Sequence, residues 1–99
     1  MNEMYDVNLG RYGRLHREYL REHEPAVYWQ LVHEHKLTAH CLDVQQTARE
    51  RMDYLIPLLA YAAGATEDLK ARDPIRWVGL MNTCKAQAEE LVLQEVVYR

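Results

Sequence analysis

Phenylalanine is absent from this chain of 99 residues, cysteine occurs only twice, and proline and glycine contribute three and four residues. Without Phe, the large rings are seven Tyr and two Trp. These carry a polar tip on an apolar body, so they sit at boundaries as readily as in cores, and partner surfaces favour the same chemistry. The scarcity of glycine excludes a phosphate-cradling loop, since Gly10 and Gly13 stand alone with no strand pattern before them. The longest apolar stretch, residues 54–63, is about half the ~20 residues a membrane span needs, so it reads as a core helix and no membrane is expected. Cys41 and Cys84 both fall on inward positions of helical patterns. Two such thiols beside an amino terminus that is polar and acidic read as reduced, structural and cytoplasmic.

Charge is plentiful but uneven. The apolar fraction of 48% and charged fraction of 27% suit a soluble globular domain. Four arginines against Glu18 give residues 8–21 a charge of +3, so the rest of the chain carries −6 of the net −3. Arg11, Arg14, Arg17 and Arg21 recur at spacings of three, three and four, which gathers them on one helical face. At about 100° per residue, Arg14, Arg17 and Arg21 occupy roughly one sixth of the circumference, opposite Tyr12, Leu15 and Tyr19. A cationic ridge with an apolar underside is therefore expected.

The remaining periodicity is helical throughout, with no strand, hairpin or repeat signal. Residues 1–8 read as a flexible N-terminal arm and 9–99 as a single helical domain, a compact all-α bundle of four to five helices. A first helix over about 10–23 ends where Glu24 precedes Pro25. A second, over 25–36, opens on Pro25 and buries Val27 or Tyr28 with Leu31 and Val32. Thr38 is expected to cap a long third helix, whose Cys41, Val44, Ala48, Met52, Leu55 and Leu59 point inward, with a kink at Pro57 and a stop at Gly64. Thr66 starts a short helix supported by an Asp68–Arg72 pair. Asp73 followed by Pro74 starts a long C-terminal helix to about Val97, with Trp77, Leu80 or Met81, Cys84, Ala88 and Leu91 inward.

Tests for chemistry are mostly negative. His33-Glu34-His35 lacks the four-residue histidine spacing of zinc proteases, and no His follows a Glu by three as di-iron bundles require. Glu89 and Glu90 are adjacent on a helix and diverge. Both cysteines fall on inward positions, and a buried thiol is normally inert. Hence no catalytic residue, cofactor or metal is expected. Nucleic-acid binding needs cations for phosphates and amide or guanidinium groups for base edges. The first helix supplies the cations, and Gln45, Gln46, Arg49 and Arg51 are candidate readers. A helix-turn-helix assembled from residues 25–36, a turn at Leu37 and Thr38, and the helix beyond lacks the usual turn glycine, and Asp43, Glu50 and Asp53 oppose phosphate contact. The competing reading of the arginines is a solvated face that only stabilises its helix.

The run Ala71-Arg72-Asp73-Pro74, then Trp77-Val78-Gly79-Leu80-Met81-Asn82 and Ala88-Glu89-Glu90, resembles the C-terminal signature of the TnpV family, small proteins encoded on transposons and integrative elements of Gram-positive bacteria. The likeness continues in Arg11-Tyr12-Gly13-Arg14, in residues 19–25 and in Ala48-Arg49-Glu50-Arg51. The family has no established reaction, and the resemblance implies an accessory protein of the excisionase type, which binds DNA beside a recombinase. A short amino-terminal arm, and His35 in place of a small turn residue, depart from the family pattern. Trp77 reads as an anchor, Gly79 as a point of close helix approach and Asn82 as a buried hydrogen-bond donor. The leading expectation is a non-enzymatic mobile-element protein contacting DNA, or a recombinase on DNA, through Arg11, Arg14, Arg17, Arg21 and Arg49. The alternative is an anti-defence protein that occupies the basic channel of a host nuclease with acidic and tyrosine-rich surfaces. A structural role as a homodimerisation module is third.

Overall fold

A computed structural model of the protein describes residues 9–99, and the expected arm over 1–8 lies outside the described residues. Among these residues the fold is all-α. The helices are α1 (Arg11–His23), α2 (Pro25–His33), α3 (Leu37–Ala63), α4 (Glu67–Arg72) and α5 (Pro74–Val92), and α5 runs directly into a π-helical turn, Leu93–Val97. The long third helix and long C-terminal helix are both present, and α3 continues through Pro57 without interruption. No helix among the described residues is long and apolar enough to cross a membrane. Their contacts gather into two compact units, one reaching Arg49 and including Leu93–Arg99, the other Glu50–Val92.

In the first unit α1 packs against α2 and against the π turn. Its buried residues are Gly13, His16 and Leu20. The expected second helix stops earlier than 36 and buries none of its residues completely: Tyr28, Leu31 and Val32 are half-buried, and Val27 is exposed. The reason lies at its end. His35 takes a left-handed conformation (φ 59°), with its N–H bonded to Val32 O (3.1 Å) and the Lys36 N–H to Leu31 O (2.8 Å). This is the paired-bond Schellman closure usually given to glycine. The chain re-enters a helix at once, so α3 begins at Leu37 and Thr38 lies inside its first turn rather than capping it. At the other end of this unit, the Tyr98 N–H reaches back five residues to Leu93 O (2.7 Å). The extra residue in that turn carries Val97, rather than Val96, into full burial.

In the second unit the predicted stop at Gly64 and the predicted starts at Thr66 and Asp73 are found. Gly64 ends α3 at φ 81°, where the Ala65 N–H returns to Ala60 O (2.9 Å) and both alanines are buried, the apolar contact that accompanies this closure. Thr66 Oγ1 accepts from the Leu69 N–H (3.2 Å), and Arg72 Nε meets Asp68 Oδ2 at 3.1 Å. Asp73 Oδ1 accepts from the Arg76 N–H (3.2 Å), capping α5. Along α5, Cys84, Ala88 and Val92 are buried, and Leu91, expected inward, is exposed in favour of Val92. Both cysteines are buried free thiols.

A candidate nucleic-acid interface on the first helix

Gly13 decides how α1 lies on α3. A Cβ at that position would stand 3.1 Å from the carbonyl oxygen of Cys41 and 3.0 Å from Leu9 Cδ2, so only glycine admits this approach. Gln45, a candidate base reader, is instead used internally, its Oε1 accepting from the Gly10 N–H at the start of α1.

One turn after Gly13, His16 enters the core at 3% exposure. Its Nδ1 is 2.7 Å from Val97 O and its Nε2 is 3.0 Å from Nε2 of His40. A carbonyl only accepts, so His16 carries its proton on Nδ1, and its Nε2 then receives the Nε2–H of His40. Both ring nitrogens are satisfied, which is the condition for burying a polar side chain. Burial pushes the His16 pKa below its ordinary value, the proximity of His40 lowers it further, and the bond to Val97 opposes both. Tyr19 stacks on the His16 ring and lies 5.7 Å from the Tyr98 ring, so an imidazole and tyrosine cluster fastens the C-terminal turn to α1.

These contacts reorient the expected ridge. The buried stripe is Gly13–His16–Leu20, and the Tyr12, Leu15 and Tyr19 side predicted to lie underneath is only half-buried. At about 100° per residue, the arginines and the tyrosines occupy opposite shoulders of that stripe. Arg11, Arg14 and Arg21 are exposed. Arg17, nearest the stripe, is half-buried, and both it and Arg11 have partners within the protein. Glu18 and Glu22 fall on the Arg11 side, which leaves Arg14, Arg17 and Arg21 as a cationic row. Arg49 is exposed one helical turn beyond Gln45, toward the end of the unit where α1 begins. Of the other candidate readers, Gln46 is exposed, and Arg51 belongs to the second unit, with its guanidinium 5.4 Å above the Tyr54 ring.

Sequence reasoning missed His16 altogether, because a histidine at an inward position reads as an exception until both its partners are known. Among the described residues no group of three or more His, Cys, Asp or Glu could hold a metal ion. No curated protein and no solved structure matches the chain. The family model described as transposon-encoded protein TnpV matches residues 1–97. With its helices, caps and C-terminal signature in place, the chain belongs to the TnpV family of transposon-encoded proteins.

Proposed function

We propose that this transposon-encoded protein is a non-enzymatic accessory factor that acts in the cytoplasm and contacts DNA phosphates through α1, beside a recombinase. The observation that carries this reading is the row of Arg14, Arg17 and Arg21 on a helix whose rotation is locked by Gly13, His16 and Leu20. A fixed helix presents its guanidinium groups at constant spacing, and arginine suits bidentate phosphate contact. Arg11, on the neighbouring face of α1, and Arg49, exposed on α3, are further candidate contacts.

Titration of duplex DNA at several salt concentrations tests it. Binding should weaken as salt rises, and Arg14→Ala with Arg21→Ala should lower the log–log slope by roughly one unit per contact removed. Absence of binding at about 50 mM salt, where phosphate contacts are strongest, would reject the proposal.

A second reading, an antagonist of a host nuclease, draws on the other unit. Tyr54, Leu58 and Tyr61 follow one another at helical spacing and are 59%, 51% and 83% exposed, with the exposed carboxylate of Asp53 adjacent. Aromatic anchors flanked by acid suit a basic channel. Inhibition of a purified nuclease that is lost with Tyr61→Ala, and unaffected by the arginine variants, would select this reading over the first.

A further inference from the structure

Gly79 and Asn82 belong to the block that carries the family signature, yet packing among the described residues uses neither. A Cβ built on Gly79 meets nothing within 4 Å, and both residues are exposed, so neither the close approach nor the buried donor expected of them occurs among the described residues. Trp77 behaves differently: it is half-buried, with Lys70 Nζ 4.6 Å from its ring. Glycine inside a helix costs about 1 kcal/mol relative to alanine, and nothing in this unit offsets that cost. The flanking residues are also unusual for a solvated face. Ile75 is 85% exposed and Val78 48%. At about 100° per residue, Ile75, Gly79, Asn82 and Ala86 share one line, opposite the buried Cys84 and Ala88.

The charges along this line indicate what covers it. Arg76 and Glu90 are both exposed, lie on the same flank of the line, and stand seven residues before and after Thr83. A parallel copy of α5, related by a two-fold along the helices, would carry its Arg76 and Glu90 on the opposite flank of the seam, where neither meets its counterpart. An antiparallel copy with its two-fold axis near Thr83 sets each Arg76 against the partner's Glu90, and brings Ala86 of one helix toward Gly79 of the other. Asn82 then lies beside the axis, where a carboxamide can both donate to and accept from its own copy.

We propose that the outward face of α5 is the interface of an antiparallel homodimer, in which a second copy of this chain crosses at Gly79 and is registered by reciprocal Arg76–Glu90 pairs. The interface uses residues of α5 and none of the arginines of α1, so loss of DNA binding and loss of dimer are read from different substitutions.

Sedimentation equilibrium of the full chain over a range of concentrations tests it. The unsubstituted protein should show a monomer–dimer equilibrium. Gly79→Leu should shift it to monomer while helicity holds and, at concentrations where the unsubstituted protein is itself monomeric, the melting temperature holds or rises, since a Cβ at this position meets nothing within 4 Å among the described residues; this separates a broken interface from a broken fold. Arg76→Glu and Glu90→Arg should each weaken association by about tenfold, because two attractive pairs become two repulsive ones. The double swap should restore it. A chain that stays monomeric at about millimolar concentration, a dimer indifferent to Gly79→Leu, or a double swap no better than the single variants would each overturn the proposal. Association with an unrelated helical protein in place of self-association would overturn it as well.

Discussion

Acidification should weaken this fold through His16 in particular. Burial holds the His16 pKa below the ordinary value of 6.5 that it has in the unfolded chain. At pH values above 6.5 both states leave the ring neutral, and the stabilisation is fully present. Below 6.5 the unfolded chain takes up a proton that the folded protein resists, so unfolding becomes easier as pH falls, until the lowered folded value is passed. For a single proton the slope cannot exceed about 1.4 kcal/mol per pH unit, set by 2.303RT. The geometry shows what that proton disturbs: His16 already carries one proton on Nδ1 toward Val97, so a second must take Nε2, the atom that faces His40. A proton on His16 itself forces His40 to surrender its donor. Denaturant unfolding followed by circular dichroism at pH 7.5 and 5.5 measures the loss. His16→Asn keeps an N–H donor near the position of Nδ1 but cannot titrate. Its own stability should be lower by about 1 kcal/mol through the lost His40 bond, while its pH dependence should be shallower than that of the unsubstituted protein. If the two proteins lose stability in parallel between these pH values, the buried imidazole is not the sensor.

Three substitutions report on local geometry. Gly13→Ala improves intrinsic helix propensity, yet its Cβ would press on the Cys41 carbonyl, which is backbone and cannot yield; a net loss of about 1 kcal/mol in urea unfolding is expected, and a gain would refute the close approach. His35→Gly relieves a left-handed non-glycine residue and should raise stability by about 0.5–1 kcal/mol after allowing for the more flexible unfolded chain, read as a higher melting midpoint. Asp73→Ala removes the acceptor for the Arg76 N–H and should cost about 1 kcal/mol, read in the same assay.

Local chemistry was legible wherever a residue acts on its near neighbours. Asp73 with Pro74, Thr66, Gly64 and the Asp68–Arg72 pair each depend on contacts within five residues, and all lie where the pattern of residue types puts them. Register was less legible. Leu91 and Val92 are equally apolar, and nothing within α5 itself distinguishes them. The π turn after Val92 was invisible for the same reason, since what selects it is the burial of Val97 and the demand of its carbonyl for the His16 proton, 81 residues away in sequence. His35 shows the opposite failure: no local rule favours it in a left-handed turn, and the short α2 follows from that one position.

For the candidate site, residue choice and residue orientation separate cleanly. Spacing alone put Arg14, Arg17 and Arg21 together, because it depends only on the helical repeat. It could not say which side of α1 faces the core, because hydrophobicity favoured Tyr12, Leu15 and Tyr19 while the true contact is made by a glycine and a histidine. Glycine contributes no apolar area, but its missing side chain lets the Cys41 carbonyl approach; histidine is polar, but its two nitrogens are spent on Val97 and His40. Those two contacts turn the arginines from the far side of the helix onto a shoulder, where Arg17 is half-buried and Arg14 and Arg21 are not. A polyanion meeting α1 therefore engages Arg14 and Arg21 first. Their substitution should remove more of the salt dependence than that of Arg17, an order which the helical wheel alone would not impose.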